Sequence, residues 1–102
     1  MASLVLFSQF SVAQTNKNEQ TWELSFPDNN IYELIEFVSK VASKNFVVDP
    51  SVKGRIQIIS GGDELTAYEI YALFQEVLAS NKYGLIEKDG FTLIVPTHKM
   101  LK

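Results

Sequence analysis

The chain has 102 residues, of which 46% are hydrophobic and 21% are charged, with a formal net charge of −3. This length supports one hydrophobic core and is too short for two. The nine basic residues are scattered, which argues against binding of nucleic acid or an anionic membrane surface, and the absence of cysteine excludes a disulfide framework and thiolate metal sites.

Residues 1–20 are predicted to precede the folded domain. Residues 4–10 are largely apolar, and the sequence Ser11-Val12-Ala13 follows, which resembles the end of a secretory signal cleaved after Ala13. The basic segment that normally begins a secretory signal is missing. The alternatives are an unstructured leader without an export role and a short strand. Residues 15–20 are polar and aperiodic, which is typical of disorder. We therefore expect a signal-peptide remnant followed by a disordered leader.

Residues 21–26 are predicted to form the first strand, which Pro27 ends. The alternation places three apolar residues on one face, namely Trp22, Leu24 and Phe26, with Glu23 and Ser25 on the other. A helix follows, because apolar residues recur three and four apart: Ile31, Leu34, Ile35, Val38, Val41 and Ala42. Asn30 with Glu33 is a plausible capping pair at its start.

The centre of the chain, residues 45–60, indicates a strand, a turn and a second strand. Phe46, Val47 and Val48 favour an extended conformation, and Asp49-Pro50 stops that strand. Gly54 gives the backbone the freedom to turn back, and residues 55–60 alternate again.

The second helix has a capping box formed by Thr66 and Glu69. Its apolar stripe contains Ile70, Leu73, Phe74, Val77 and Leu78. Asp89-Gly90 then predicts a tight hairpin between two strands, which pairs Lys88 with Phe91, Ile86 with Leu93 and Leu85 with Ile94.

Both faces of this hairpin are apolar. One carries Ile86, Phe91, Leu93 and Val95, and the other carries Tyr83, Leu85 and Ile94. Because a single core covers one face, we expect the face of Tyr83, Leu85 and Ile94 to dock a neighbouring domain. The alternative is that the last residues fold back over the hairpin.

The element order is therefore β-α-β-β-α-β-β over residues 21–96, and residues 97–102 are interpreted as the start of a linker to a following domain. This is an α+β fold in which two helices lie between a three-stranded and a two-stranded sheet.

No constellation of residues indicates catalysis, a cofactor, a metal or a small-molecule substrate. His98 is the single histidine, and no cysteine stands beside it. Asp63 and Glu64 adjoin on a glycine-rich turn and are interpreted as solvated. What remains is a protein-binding surface, and an open strand edge is the best candidate. We place it at the first strand, comprising Trp22, Glu23, Leu24, Ser25 and Phe26. Charge-protected edges are the alternative.

The segment Lys44-Asn-Phe-Val-Val-Asp-Pro-Ser-Val-Lys-Gly-Arg-Ile56 resembles the secretin family, and within it the first N-terminal periplasmic (N-zero) domain of general secretion pathway protein D. The likeness extends over residues 21–96. It includes Phe26-Pro27-Asp28-Asn29-Asn30-Ile31 at the first helix, Leu65-Thr66, Tyr71-Ala-Leu-Phe-Gln-Glu-Val-Leu78, and Leu93-Ile-Val-Pro96. Pro27, Asn29-Asn30 and Asn81-Lys82-Tyr83-Gly84 depart from the family pattern.

This resemblance implies a periplasmic, non-catalytic docking module of an outer-membrane type II secretion channel. Its expected partners are the inner-membrane clamp protein, exported substrate, other copies of the chain in a ring, and the following periplasmic domain. A signalling domain of a TonB-dependent receptor, which has a similar fold and binds an anti-sigma regulator, is the alternative function.

Overall fold

The structure is a computed structural model, and it describes residues 19–101. The predicted export signal and nearly all of the predicted leader lie outside these residues. In chain order the elements are β1 (Thr21–Glu23), β2 (Phe26–Asn30), α1 (Ile31–Ala42), β3 (Phe46–Val48), β4 (Arg55–Ile58), β5 (Glu64–Thr66), α2 (Ala67–Ser80), β6 (Tyr83–Lys88), β7 (Phe91–Pro96) and a 3₁₀ helix (Thr97–Leu101).

The strands form one sheet of three and two pairs. The three-stranded sheet has the order β3-β7-β6, in which β3 runs parallel and β6 antiparallel to the central strand β7. The pairs are β1–β5 and β2–β4, both antiparallel. The α+β class, with two helices and sheets of three and two strands, is confirmed. The β1–β5 pair is an addition, since residues 61–64 were expected to be a flexible turn.

The predicted cap residues Asn30 and Thr66 are confirmed, whereas only the second of the two predicted capping pairs forms. The Asn30 side chain accepts a hydrogen bond from the backbone N–H of Tyr32, which caps α1. Glu33 does not complete a capping box there, because its carboxylate accepts from the Asn29 side chain instead. At α2 the box is complete: Thr66 Oγ1 accepts from the Glu69 N–H at 3.2 Å, and Glu69 Oε1 accepts from the Thr66 N–H at 2.9 Å.

The core forms where the stripes of the two helices meet the inner faces of the strands. Its fully buried members are Ile31, Leu34, Val38, Val52, Ile70, Phe74, Leu78 and Ile94. Phe46 and Tyr71 pack beside Phe74 with ring centroids 5.5 and 6.1 Å away. Each apolar stripe predicted for a helix therefore faces the interior.

The turn between β3 and β4 is held by two tyrosine hydroxyls. Tyr32 Oη donates to the carbonyl of Val52 at 2.7 Å. Tyr83 Oη accepts from the backbone N–H of Lys53 and donates to its carbonyl, at 3.0 and 2.9 Å. The turn thus satisfies its backbone groups through side chains of α1 and β6, and it presses Val52 into the core.

The last described residues fold back against the hairpin. The Thr97 N–H donates to the carbonyl of Lys82, and Met100 lies against Gly84, where a β-carbon would stand 2.6 Å from the Met100 sulfur. The Lys99 ammonium is 3.0 Å from the Asp49 carboxylate. This return covers one end of the hairpin, as the alternative prediction described.

Replacing Thr66 by alanine is expected to lower the free energy of unfolding by about 1 kcal/mol, because the first turn of α2 loses its side-chain acceptor. Urea denaturation followed by circular dichroism measures the loss. Thr66→Ser keeps the hydroxyl and serves as the control. An equal loss in both variants would assign the effect to the missing methyl group rather than to the cap.

A second prediction concerns acid stability. Hydrogen bonds from the Ser51 hydroxyl and N–H, with the Lys99 ammonium, lower the pKa of Asp49 from 3.8 to about 2. Because the folded pKa lies below the unfolded one, this carboxylate stabilises the fold above about pH 4 and stops doing so as the pH falls towards 2. Urea unfolding between about pH 5 and pH 2.5 should show a shallower loss in Asp49→Asn than in the parent. Parallel curves would contradict this assignment.

Candidate functional site

The first strand of the domain is interrupted, which the alternation did not predict. Residues 21–30 run antiparallel to residues 55–66, yet pairing holds only at the two ends, as β1–β5 and β2–β4. Between the pairs Glu23–Glu64 and Phe26–Ile58, two residues on one side face five on the other, 24–25 against 59–63. A second irregularity follows between Phe26 and Asn29, so Pro27 lies within β2 and does not end the strand.

This interruption separates the residues of the predicted binding edge. Trp22 and Glu23 lie in β1, and Phe26 begins β2, where its ring meets the Phe37 ring edge-on at 5.6 Å. Leu24 and Ser25 belong to neither strand, and the Leu24 side chain is only 2% exposed. A continuous strand over Trp22–Phe26 is therefore wrong, because Leu24 and Ser25 pair with neither β4 nor β5. The alternation of burial from residue 22 to residue 26 was nevertheless predicted correctly.

The two edges of β1 differ in their pairing. Within residues 19–101, β1 is hydrogen-bonded to β5 alone, which leaves its second edge without a strand neighbour in that part of the chain. Glu23 and Ser25 are exposed, whereas Trp22 is half-buried against the core. Exposed backbone edges of this kind are templates for a strand from another protein.

The predicted neighbour-docking face of the hairpin is wrong for its three residues. Ile94 is fully buried, and Tyr83 and Leu85 pack partly buried against the same core. The hairpin register was predicted correctly, but register alone cannot say which face turns inward. Helix α2 covers the face of Tyr83, Leu85 and Ile94. The outer apolar face of the hairpin is therefore the opposite face, where Phe91 is 37% exposed and Ile86 and Leu93 are half-buried.

The most connected group of charged side chains braces the fold. The Glu87 carboxylate accepts hydrogen bonds from Thr92 at 2.9 Å and Tyr71 at 3.2 Å, and Lys44 lies 3.3 Å away. The Thr92 hydrogen bond, together with Lys44 and Tyr71, lowers the pKa of Glu87. Burial, and next the charge of Glu87, raises the pKa of Tyr71 to about 12. The group ties α2 to the hairpin.

Two further classes of site are absent from the described part of the chain. No group of three or more His, Asp or Glu side chains there is placed to hold a metal ion. No helix among residues 19–101 has the length and hydropathy needed to cross a membrane.

The fold defines a small α+β domain with short, accessible sheet edges. A family model described as GspD-like, N0 domain, matches residues 24–94, so the chain belongs to that family of type II secretin domains. The resemblance seen in the sequence is confirmed. Such domains are the periplasmic N-terminal part of an outer-membrane secretin complex, which also confirms the predicted location.

Relatives and solved structures agree with this assignment. Secretin XcpQ of Pseudomonas aeruginosa is 32% identical over 81 residues, which is 79% of this chain and 12% of that protein. The crystal structure of its N-terminal domain superposes with a TM-score of 0.71 at 30% identity, covering 76% of this chain and 36% of that one. A Klebsiella pneumoniae type II outer-membrane complex contains a chain with a TM-score of 0.61 at 33% identity, covering 70% and 12%.

Sequence reasoning did not single out the loop of residues 59–63. Ile59 is 81% exposed at its start, and Leu24, Ile58, Leu65 and Leu73 line a cleft beneath it. The available signal was Ile58-Ile59 before Ser60-Gly61-Gly62, where the alternation of β4 stops and a second apolar residue follows directly.

Leu24→Ala is expected to lower the free energy of unfolding by about 2–5 kcal/mol, because it removes a buried side chain between the two strand pairs. Ser25→Ala, one residue along and exposed, should change it by less than about 0.5 kcal/mol. Thermal and urea unfolding of both variants provide the comparison. If Leu24→Ala proves as harmless as Ser25→Ala, then residue 24 is an edge residue after all.

Proposed function

We propose that this domain is a protein-docking module at the periplasmic entrance of a type II secretion channel. In this role it binds the periplasmic part of the inner-membrane clamp protein by adding a strand to the outer edge of β1. The observation that carries the proposal is that one edge of β1 has no strand partner within residues 19–101, while Glu23 at its end and Ser25 just beyond it are exposed.

The site in this proposal is narrower than the predicted strand edge. Trp22 and Glu23 present the backbone of β1, and the exposed Ser25 continues the surface beyond it. Leu24 and Phe26 do not form the paired edge in this proposal. They hold the backbone in place, Leu24 by its burial and Phe26 by its contact with the Phe37 ring. Main-chain hydrogen bonds from such an edge supply affinity, while the side chains on alternate positions supply specificity.

The proposed partners follow from family membership. The Klebsiella pneumoniae complex contains PulD, PulS and the HR domain of PulC, which supports an interaction between secretins and a further component of their system. We include other copies of this chain in a ring, and a following periplasmic domain, among the contacts. The face of Phe91, Ile86 and Leu93 is the sheet surface available for a neighbouring domain.

The domain acts in this proposal by binding, without catalysis. The single histidine, His98, is exposed in the terminal 3₁₀ helix, and the best-connected carboxylate, Glu87, is occupied by hydrogen bonds within the fold. The relatives named above are all secretins. We therefore do not propose the alternative function, that of a TonB-dependent receptor signalling domain.

Single cysteines test the edge directly, because the chain contains no other cysteine. Cysteine at Glu23 or Ser25 should form disulfides with cysteines placed along one strand of the clamp protein. Their yield should alternate from residue to residue of that strand, since successive side chains point to opposite faces. Non-reducing electrophoresis after mild oxidation measures the yield.

Cysteines at Glu36 and Glu76, which are exposed on α1 and α2, are the matched controls. They should give no specific cross-link. Cross-links that appear at the helix positions and not at β1 would overturn the assigned edge. A failure of the unmodified domain to bind the clamp protein at all would overturn the docking function.

A further inference from the structure

The interruption of the first strand creates a recess beside the proposed edge. The recess, which we name the Leu24 cleft, is lined by Leu24, Ile58, Ile59, Ser60, Gly61, Asp63, Leu65 and Leu73. It forms because residues 59–63 loop away from residues 24–25 and leave apolar side chains of β4, β5 and α2 without a covering strand. The Gly62 φ of 100° and the adjacent Gly61 suit the loop to this course.

The size and polarity of the Leu24 cleft suit one inserted side chain. Its volume is about 240 Å³, below the roughly 300–1,000 Å³ typical of sites for drug-sized ligands. Ile59 stands at the rim and is 81% exposed, a costly placement for an apolar side chain that nothing in residues 19–101 covers. An apolar recess with an exposed apolar rim is typical of the pocket that receives an anchor residue in a protein interface.

The charges around the cleft specify the chemistry of the partner. Residues 18–39 and 56–81 contain nine Asp and Glu residues and no Lys or Arg. Arg55, just before the second segment, is at the far end of β4 and is held by Asp28 at 2.8 Å. Of these carboxylates Asp63 lines the cleft and Glu64 is its neighbour in the chain. Neither forms an ion pair within residues 19–101, although Glu64 accepts a hydrogen bond from the Thr21 hydroxyl.

The β1–β5 pair also carries unbalanced negative charge. Its register sets Glu23 directly opposite Glu64, and like charges in that position destabilise a strand pair. The Thr21 hydroxyl donates to Glu64 but carries no charge, so a Lys or Arg side chain of an added strand would be the group that neutralises these two exposed carboxylates.

We infer that the Leu24 cleft receives an apolar anchor side chain from a partner segment that also carries Lys or Arg next to that anchor. This inference rests on the proposed function, because the segment belongs to the same partner as the strand that pairs with β1. The anchor fills the recess beneath Ile59, and the adjacent cation meets Glu23, Asp63 and Glu64. The cleft thus fixes the register of the added strand, which backbone pairing by itself leaves free to slip.

The test uses the periplasmic part of the clamp protein from the same secretion system as the probe. Its affinity for the domain is measured by titration calorimetry at about 50 mM and about 300 mM salt. Ile59→Ser should weaken binding about tenfold at both salt concentrations, because an apolar contact is lost. Asp63→Lys should weaken binding at low salt and reduce its salt dependence.

Matched controls separate these effects from general ones. Tyr68→Ser removes an equally exposed apolar side chain that does not line the cleft, and Glu36→Lys reverses an exposed charge on α1. Both should bind within about twofold of the parent, since neither residue lines the cleft and remote contacts contribute little. Urea unfolding confirms that every variant is folded.

A direct structural measurement complements the variants. With methyl-labelled Ile and Leu, intermolecular nuclear Overhauser effects from the bound probe should reach Ile59, Leu65 and Leu24. The cleft inference is overturned if Ile59→Ser and Asp63→Lys bind with normal affinity, or if these nuclear Overhauser effects are absent from the bound complex. In either case, cross-links at β1 would still support the docking function. Self-association of the domain that Ile59→Ser abolishes would show that a second copy, and not the clamp protein, occupies the cleft. That result overturns the inference as well.

Discussion

The packing of the two helices against each other is the interaction on which the rest of the structure depends. Leu34 and Val38 of α1 and Phe74 and Leu78 of α2 are almost wholly removed from water in a single cluster. Burial of each such side chain stabilises the fold by about 1.5–3 kcal/mol. Because the strands on either side need only cover the remaining apolar flanks of this cluster, they can be short, and several remain at sheet edges.

Because the helices supply most of the buried core, the first strand pair can be interrupted without loss of the fold. A continuous pair over residues 21–30 and 55–66 would bury the backbone of residues 24–25 and place Ile59 opposite them. Instead, Leu24 turns inward and residues 59–63 loop out, while the cap at Thr66 still starts α2 at its proper place. A few hydrogen bonds of the strand ladder are therefore absent here, and an apolar recess lies at the break.

Local chemistry decided which parts of this structure were predictable from sequence. The Thr66–Glu69 box, the Asn30 cap and the Asp89-Gly90 hairpin register depend on residues that are neighbours in the chain, and all three were predicted correctly. The break at Leu24–Ser25 and the inward face of the hairpin depend on what α2 covers. Alternation is symmetric between the two faces of a strand, so no pattern within the strand itself distinguishes them.

The outer face of the three-stranded sheet shows why such symmetry matters for function. Val47, Leu93 and Ile86 are cross-strand neighbours there, and Val47 is 49% exposed. The paired strands β1–β5 and β2–β4 lie in segments that carry nine of the twelve carboxylates, whereas the outer face of the three-stranded sheet is apolar. The domain therefore offers two chemically different surfaces, an acidic strand edge and an apolar sheet face. A module with two such surfaces can engage a partner and a neighbouring domain at once, because the two contacts do not compete for the same residues.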